Sequence, residues 1–231
     1  MVSAPNNLWS SVMELFTARV CPYAHRSRLA LLEKGLDFEH IEIDFKDKSA
    51  RFLEASPYGK VPALVHNGET IYESLVINEY LDEVFPEPGL MPADAALRAK
   101  ARIWIHYCDE YFTGDFYAVI HNKDHDQHAE LTAKVRDRLR FVENEAFARL
   151  SGDGPYWFGA DVSLVDLAWY PFFERLPAWS HYRGLTIPDD CPRLAAWAAA
   201  MKGRASVVEV ANDEAYYIDN YKGYAGEVMA A

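Results

Sequence analysis

The stretch VMELFTARVCPYAHRSRLALLEK, residues 12–34, decides the fold. Its apolar start, Val12 to Phe16, predicts a short strand, and Pro22 to Lys34 predicts an amphipathic helix, with proline at the position where it commonly opens one. Cys21 stands at the handover between the two. Unpaired amide donors and the positive end of the helix dipole meet at such a position, which favours thiolate over thiol and makes Cys21 a candidate nucleophile. The plainer reading, a small residue closing a strand, has to be weighed against what surrounds it.

Outward from that unit, Gly35 offers a C-cap, and Phe38, Ile41 and Ile43 mark a second strand. A short helix is expected around Ser49 to Glu54. Val61 to Val65 and Thr70 to Tyr72 flank Asn67-Gly68, the dipeptide that most strongly signals a two-residue hairpin. Ser74 is expected to cap a helix reaching about Phe85. The predicted order is strand, helix, strand, helix, strand, strand, helix, a thioredoxin-like α/β arrangement. Pro86-Glu87-Pro88-Gly89 breaks the pattern, and only helical periodicity follows. The expected organisation is an N-terminal extension over 1–11, a thioredoxin-like domain over 12–86, a linker over 87–94 and an all-α domain over 95–231.

In the second part, Ala96 to Ile120 and Ala129 to Leu150 each read as one long helix. Ser163 to Asp166 has the form of a capping box ahead of the apolar run Leu167 to Phe173, so this helix is expected to be deeply buried. Cys191-Pro192 opens another helix, and Tyr216, Tyr217, Tyr221 and Tyr224 crowd the tail.

Composition narrows the function. Of 231 residues half are hydrophobic and a quarter charged, the balance of a water-soluble globular chain, and no apolar run approaches the roughly 18 residues that span a bilayer. The formal net charge of −12 repels phosphate backbones and anionic lipid, so neither nucleic acid nor stable membrane insertion is expected. Met1 to Ser10 lacks the basic and apolar parts of a secretory signal. Three widely separated cysteines make no disulfide framework and no zinc spacing, which suits a reducing, cytoplasmic setting. A second cysteine at position 24 would be needed to resolve an internal disulfide, and the residue there is Ala24. A lone activated thiol must therefore be discharged by an external one, for which glutathione is the usual small molecule in cells.

The chain resembles the glutathione transferase superfamily, and within it the cysteine-type omega class, with some likeness to the lambda class. The resemblance covers nearly the whole length. It is carried by Val20-Cys21-Pro22-Tyr23-Ala24-His25-Arg26, Ser56-Pro57-Tyr58-Gly59-Lys60-Val61-Pro62, Ile71-Tyr72-Glu73-Ser74, Glu79-Tyr80-Leu81-Asp82-Glu83, and the capping box with Pro171-Phe172-Phe173-Glu174-Arg175. It implies the two-domain fold of that family, glutathione as co-substrate without a metal, and a homodimer. Cys21 would form a mixed disulfide with glutathione. Val61, ahead of a cis Pro62, would offer backbone groups to its cysteinyl part, Glu73 and Ser74 would hold the γ-glutamyl end, Lys48 would meet the glycine carboxylate, and Tyr23 would border the site. The resemblance also places a hydrophobic co-substrate site between the two domains, with Tyr111, Tyr170, Phe173 and Tyr217 expected to line it for a small hydrophobic or aromatic acceptor.

Three other features need a reading. His121, His125 and His128 have helical metal-ligand spacing but lie in a polar stretch, so no metal is expected. Cys108, beside aromatic residues, reads as a buried, unreactive thiol. Cys191 precedes a proline at a helix start as Cys21 does, which would lower its pKa mildly, yet nothing nearby suggests a ligand. The expected function is a glutathione-dependent thioltransferase or deglutathionylase. The alternatives are ordinary conjugation of electrophiles by glutathione, without a covalent intermediate, and a non-enzymatic binding or membrane protein of the same fold, like the intracellular chloride channel proteins.

Overall fold

A computed structural model of the chain describes residues 13–226. The N-terminal extension expected over 1–11, and Val12 of the first strand, lie outside the described residues. The chain divides into two compact units at Glu87 and Pro88.

The first unit is built on a four-stranded sheet in the order β2, β1, β3, β4, with β1 at Met13–Thr17, β2 at Phe38–Glu42, β3 at Ala63–His66 and β4 at Glu69–Tyr72. β1 runs parallel to β2 and antiparallel to β3, and β3 pairs antiparallel with β4. The parallel pair needs a crossover, supplied by α1, Pro22–Glu33. Gly35 ends α1 at φ 61°, a left-handed conformation that costs glycine nothing, and Leu36 N–H then bonds back to Leu31 C=O at 3.0 Å. Asn67 and Gly68 take φ 55° and 82°, the pair of positive values that matches a tight hairpin to the twist of its strands. α2, Ala50–Ala55, and α3, Ser74–Val84, complete the order predicted from sequence. Lys34, with a fully buried side chain, holds the end of α3 through Asp82 and through Phe85 C=O at 2.7 Å.

The second unit is all helical: α4 at Ala95–Tyr107, α5 at Gly114–His121, α6 at His128–Val142, α7 at Ala148–Leu150, α8 at Leu164–Arg183, α9 at Pro192–Lys202, α10 at Ala205–Val210 and α11 at Glu214–Ala225. Both long helices expected from periodicity are interrupted. Cys108–Thr113 joins α4 to α5 as a π-helical turn, and Glu143–Phe147 does the same between α6 and α7. In the first, Thr113 Oγ1 donates to Cys108 C=O at 2.8 Å. Such a turn inserts a residue without breaking the helix, so apolar spacing alone does not betray it.

α8 packs on α4, α5, α9 and α11, and 15 of its 20 residues are buried, which marks it as the centre of the unit. Indole N–H groups tie it to its neighbours: Trp169 Nε1 donates to Trp104 C=O at 3.0 Å and Trp179 Nε1 to Phe116 C=O at 2.6 Å. Its N-terminus has the expected capping box, and Asp166 does more than cap. The fully buried carboxylate accepts from Ser163 N–H at 2.8 Å, Ser163 Oγ at 2.7 Å, Trp157 N–H at 3.2 Å and Trp197 Nε1 at 2.8 Å. It therefore pins the 151–163 loop and α9 to the start of α8. Among the described residues no helix is long and apolar enough to cross a membrane.

The 151–163 loop makes one sharp prediction. A Cβ on Gly154 would stand 2.0 Å from the Gly159 carbonyl carbon, and no side chain can yield there because the obstacle is backbone. Gly154→Ala is expected to lower stability by about 1–3 kcal/mol. A urea melt checks it, and an unchanged midpoint would show that the loop does not close this tightly.

Candidate active site

The register of the sheet gathers the predicted residues of the first unit. Phe16 pairs with Ala63, and Ala63 with Tyr72, so the end of β1, the start of β3 and the end of β4 share one sheet edge. Cys21 follows the first, Val61 and Pro62 precede the second, and Glu73 and Ser74 follow the third. Three segments far apart in sequence thus converge by strand pairing alone.

Cys21 is the N-cap of α1: its Sγ accepts from Ala24 N–H at 3.5 Å, and the thiol points to Val61 C=O at 3.8 Å. It is half-buried against Phe16, Ala18, Ala24 and Val61. The turn that presents it is braced by a residue that the sequence reading passed over. Arg28, almost wholly buried, donates to Thr17 Oγ1 at 2.7 Å, Ala18 C=O at 3.1 Å and Arg19 C=O at 3.4 Å. An arginine within an otherwise apolar helix face was the available signal, since such a group is buried only with partners. Tyr23 is half-buried, with the Arg26 guanidinium 5.1 Å from its ring centroid.

The Val61-Pro62 bond is cis. Ser56 steadies the loop ahead of it, donating from Oγ to Lys60 C=O at 2.6 Å and accepting from Lys60 N–H at 3.0 Å. Lys48 is exposed but anchored, with Nζ donating to Gly59 C=O at 2.9 Å. At the β4 to α3 junction Glu73, not Ser74, occupies the N-cap, shifting the expected cap by one residue. Glu73 is exposed and held at φ 71°, a conformation a non-glycine residue adopts at a cost, and such outliers gather where a ligand is clamped. No side chain caps α3, so the amides of its first turn and the buried Ser74 hydroxyl present donors suited to a carboxylate. The donors suit an anionic carboxylate, and the adjacent Glu73 carboxylate is an acceptor suited to an ammonium.

In the second unit the four residues expected for a co-substrate part company. Tyr170 and Phe173, on neighbouring turns of α8, line a cleft of about 200 Å³. Tyr217 has no exposed surface; its hydroxyl donates to Glu174, and Asn212 Nδ2 donates to it at 3.0 Å. Tyr111 is 48% exposed and stacks on Tyr107 with ring centroids 5.2 Å apart.

The remaining thiols are buried. Cys108 Sγ lies 3.7 Å from Ala168 C=O. Cys191 occupies an N-cap as expected, but burial, and then Asp190 and Glu143, push its thiol up to about 11, opposite to the mild lowering its helix position suggested. Desolvation outweighs the dipole where no water reaches the sulfur. His121 ends α5 against Tyr117 and Tyr224, and His128 Nε2 donates to Asn122 C=O at 2.9 Å. Among the described residues no group of three or more His, Cys, Asp or Glu is placed to hold a metal.

Two family models match the chain: one described as glutathione S-transferase, N-terminal domain, over residues 15–89, and one as glutathione S-transferase, C-terminal domain, over residues 129–200. Glutathione S-transferase U19 of Arabidopsis thaliana is 33% identical over 189 residues, covering 81% of this chain and 84% of that protein. The structure of a tau class glutathione S-transferase from mango, Mangifera indica, aligns with a TM-score of 0.86 at 28% identity, over 93% of this chain and 99% of the mango one. Glutathione transferase Omega 3C from Trametes versicolor aligns with a TM-score of 0.81 at 29% identity, over 91% and 90% of the two chains.

Proposed function

Because the chain belongs to the glutathione S-transferase family of enzymes, we propose that it conjugates glutathione to small hydrophobic or aromatic electrophiles. The supporting observation is the convergence of an open helix N-terminus at Glu73-Ser74, the Val61-Pro62 turn and a sulfur-bearing helix N-cap on one sheet edge. In this reading Glu73 pairs with the γ-glutamyl ammonium and the first turn of α3 receives its carboxylate. Val61 aligns the cysteinyl part, Lys48 meets the glycine carboxylate, and Tyr23 borders the bound tripeptide. The glutathione sulfur then rests near the N-terminus of α1, whose amides stabilise it as thiolate. That thiolate attacks the electrophilic carbon, the carbon–leaving-group bond breaks with its electron pair, and Cys21 forms no bond to glutathione. The U19 and mango relatives favour this chemistry and a tau-like class over the omega-like class expected from the Cys-Pro motif.

A specific observation favours a second reading. Position 21 carries sulfur, with no second cysteine at 24, and an omega transferase is also a structural relative. In that reaction the Cys21 thiolate displaces a thiolate from a glutathione mixed disulfide and becomes glutathionylated. Free glutathione thiolate then attacks the new bond, releasing oxidised glutathione and restoring Cys21. None of the three cysteines is in a disulfide, which suits a reducing cytoplasm, and a homodimer belongs to the same proposal.

One preparation tests both. Incubation with glutathione and 1-chloro-2,4-dinitrobenzene is expected to yield the thioether. Intact mass after exposure to oxidised glutathione reports the covalent route through a single adduct on Cys21 that free glutathione removes. Thioether without adduct supports conjugation, adduct with disulfide turnover but no thioether supports the second reading, and neither would overturn the placement of glutathione at this edge.

A further inference from the structure

Arg28 lies about two turns beyond Cys21 on α1, yet its guanidinium reaches back to the turn that leads into the helix. One fork serves three consecutive residues: Nη1 donates to Thr17 Oγ1 at 2.7 Å and to Ala18 C=O at 3.1 Å, and Nη2 to Arg19 C=O at 3.4 Å. Ala18 C=O also accepts from Cys21 N–H at 3.0 Å, so the guanidinium and the backbone of residue 21 share one acceptor. Arg28, Thr17 and Ala18 are each at most 2% exposed, and water competes little for these bonds.

The same turn is tied down from β2. Ile43 N–H donates to Thr17 C=O at 2.9 Å, and Arg19 N–H to Glu42 Oε1 at 2.7 Å. Together these bonds hold residues 17–19, and through Ala18 they fix where α1 begins. The consequence falls on sulfur. Cys21 Sγ stands 3.5 Å from Ala24 N–H and 3.8 Å from Val61 C=O, distances that change if the start of α1 shifts against the turn ahead of β3. Lysine does not reproduce the fork, because a single ammonium nitrogen cannot meet acceptors spread over three residues with planar, fixed geometry.

We propose that Arg28 is a positioning residue: through Thr17 and Ala18 it fixes the N-terminus of α1 against Val61, and so governs the rate of the step at sulfur rather than the affinity for glutathione. The proposal rests on the transferase reading, in which Glu73, Ser74 and Val61, all outside this turn, hold the tripeptide.

The test compares wild type with Arg28→Lys, Thr17→Val and Thr17→Ser, each checked for folding by far-ultraviolet circular dichroism. Turnover is measured with 1-chloro-2,4-dinitrobenzene and with a glutathione mixed disulfide. In whichever assay wild type is active, Arg28→Lys is expected to lower kcat by about ten- to a hundredfold, with KM for glutathione within about threefold. Thr17→Val, which keeps the shape and removes the acceptor, should lower kcat by about tenfold, and Thr17→Ser, which restores the hydroxyl, should stay within about twofold of wild type. Amide hydrogen exchange over residues 18–24, followed by mass spectrometry without glutathione, should quicken at least about tenfold in Arg28→Lys and Thr17→Val, while β3 and α3 keep their protection. Unchanged exchange or unchanged kcat in folded Arg28→Lys, a loss confined to KM, or equal losses in Thr17→Ser and Thr17→Val would each overturn the assignment. If Arg28→Lys fails to fold, the Thr17 pair decides alone. A wild type inactive in both assays would sink the transferase reading, and the exchange rates would then decide by themselves whether Arg28 holds the turn.

Discussion

On the covalent reading, Cys21→Ser is expected to abolish the glutathionyl adduct and to lower thiol–disulfide exchange by at least about a thousandfold, because the hydroxyl supplies no nucleophile at neutral pH. Conjugation should persist or rise in the same protein. Serine is a good N-cap, so α1 keeps its start, and its hydroxyl can donate to a bound glutathione thiolate where Cys21 Sγ now accepts from Ala24 N–H. Intact mass and the two assays, run side by side on wild type and variant, distinguish the readings. If the wild type forms no adduct and conjugates as Cys21→Ser does, Cys21 serves only as a cap. If neither activity changes, its sulfur does not face glutathione at all. The variant leaves the apolar contacts of residue 21 nearly intact, so a collapse of both activities would have to be traced to the reaction and not to the fold.

Asp166→Ala carries the largest expected loss of stability, about 3–5 kcal/mol. It strands Trp157 N–H, Ser163 N–H and the Trp197 indole N–H without their acceptor in a fully buried place. A fall of about 10 °C in Tm follows for a chain of this size. The same residue sets a pH dependence. Burial pushes the Asp166 carboxyl up to about 6, against the pull of its hydrogen bonds, from 3.8 in the open chain. Between those values the folded protein holds a proton that the unfolded chain has released, so stability from this group is complete below about pH 4 and is lost as pH rises through 6. The span corresponds to roughly 3 kcal/mol. Urea melts from pH 4 to pH 7 should therefore show wild type losing ground steadily to Asp166→Asn, whose amide does not titrate. A difference that stays constant over this range would mean that the carboxylate keeps its charge throughout.

Much of this was legible in the residues because it is governed by local physics. The crossover of α1, the Asn67-Gly68 hairpin and the Ser163 capping box each depend on neighbours within a few positions, and all three appear where the sequence puts them. The π-helical turns at Cys108–Thr113 and Glu143–Phe147 were not legible, since a one-residue insertion leaves apolar periodicity nearly unchanged. Cys191 shows the same limit in chemistry: a helix start argues for a lowered pKa, while the surrounding unit decides whether water reaches the sulfur.

What the sequence determined by itself was the order of elements, the placement of one sulfur at a helix start and the absence of a partner thiol at Ala24, for these follow from chain-local preferences. Only tertiary structure decided that Cys21, Val61 and Glu73 share one edge, that Arg28 braces the turn, that Tyr217 is sealed in while Tyr170 and Phe173 open onto a cleft, and that Asp166 joins a loop to two helices. The reason is that strand register and burial are set by contacts between segments distant in the chain, and no local pattern encodes which partner each one finds.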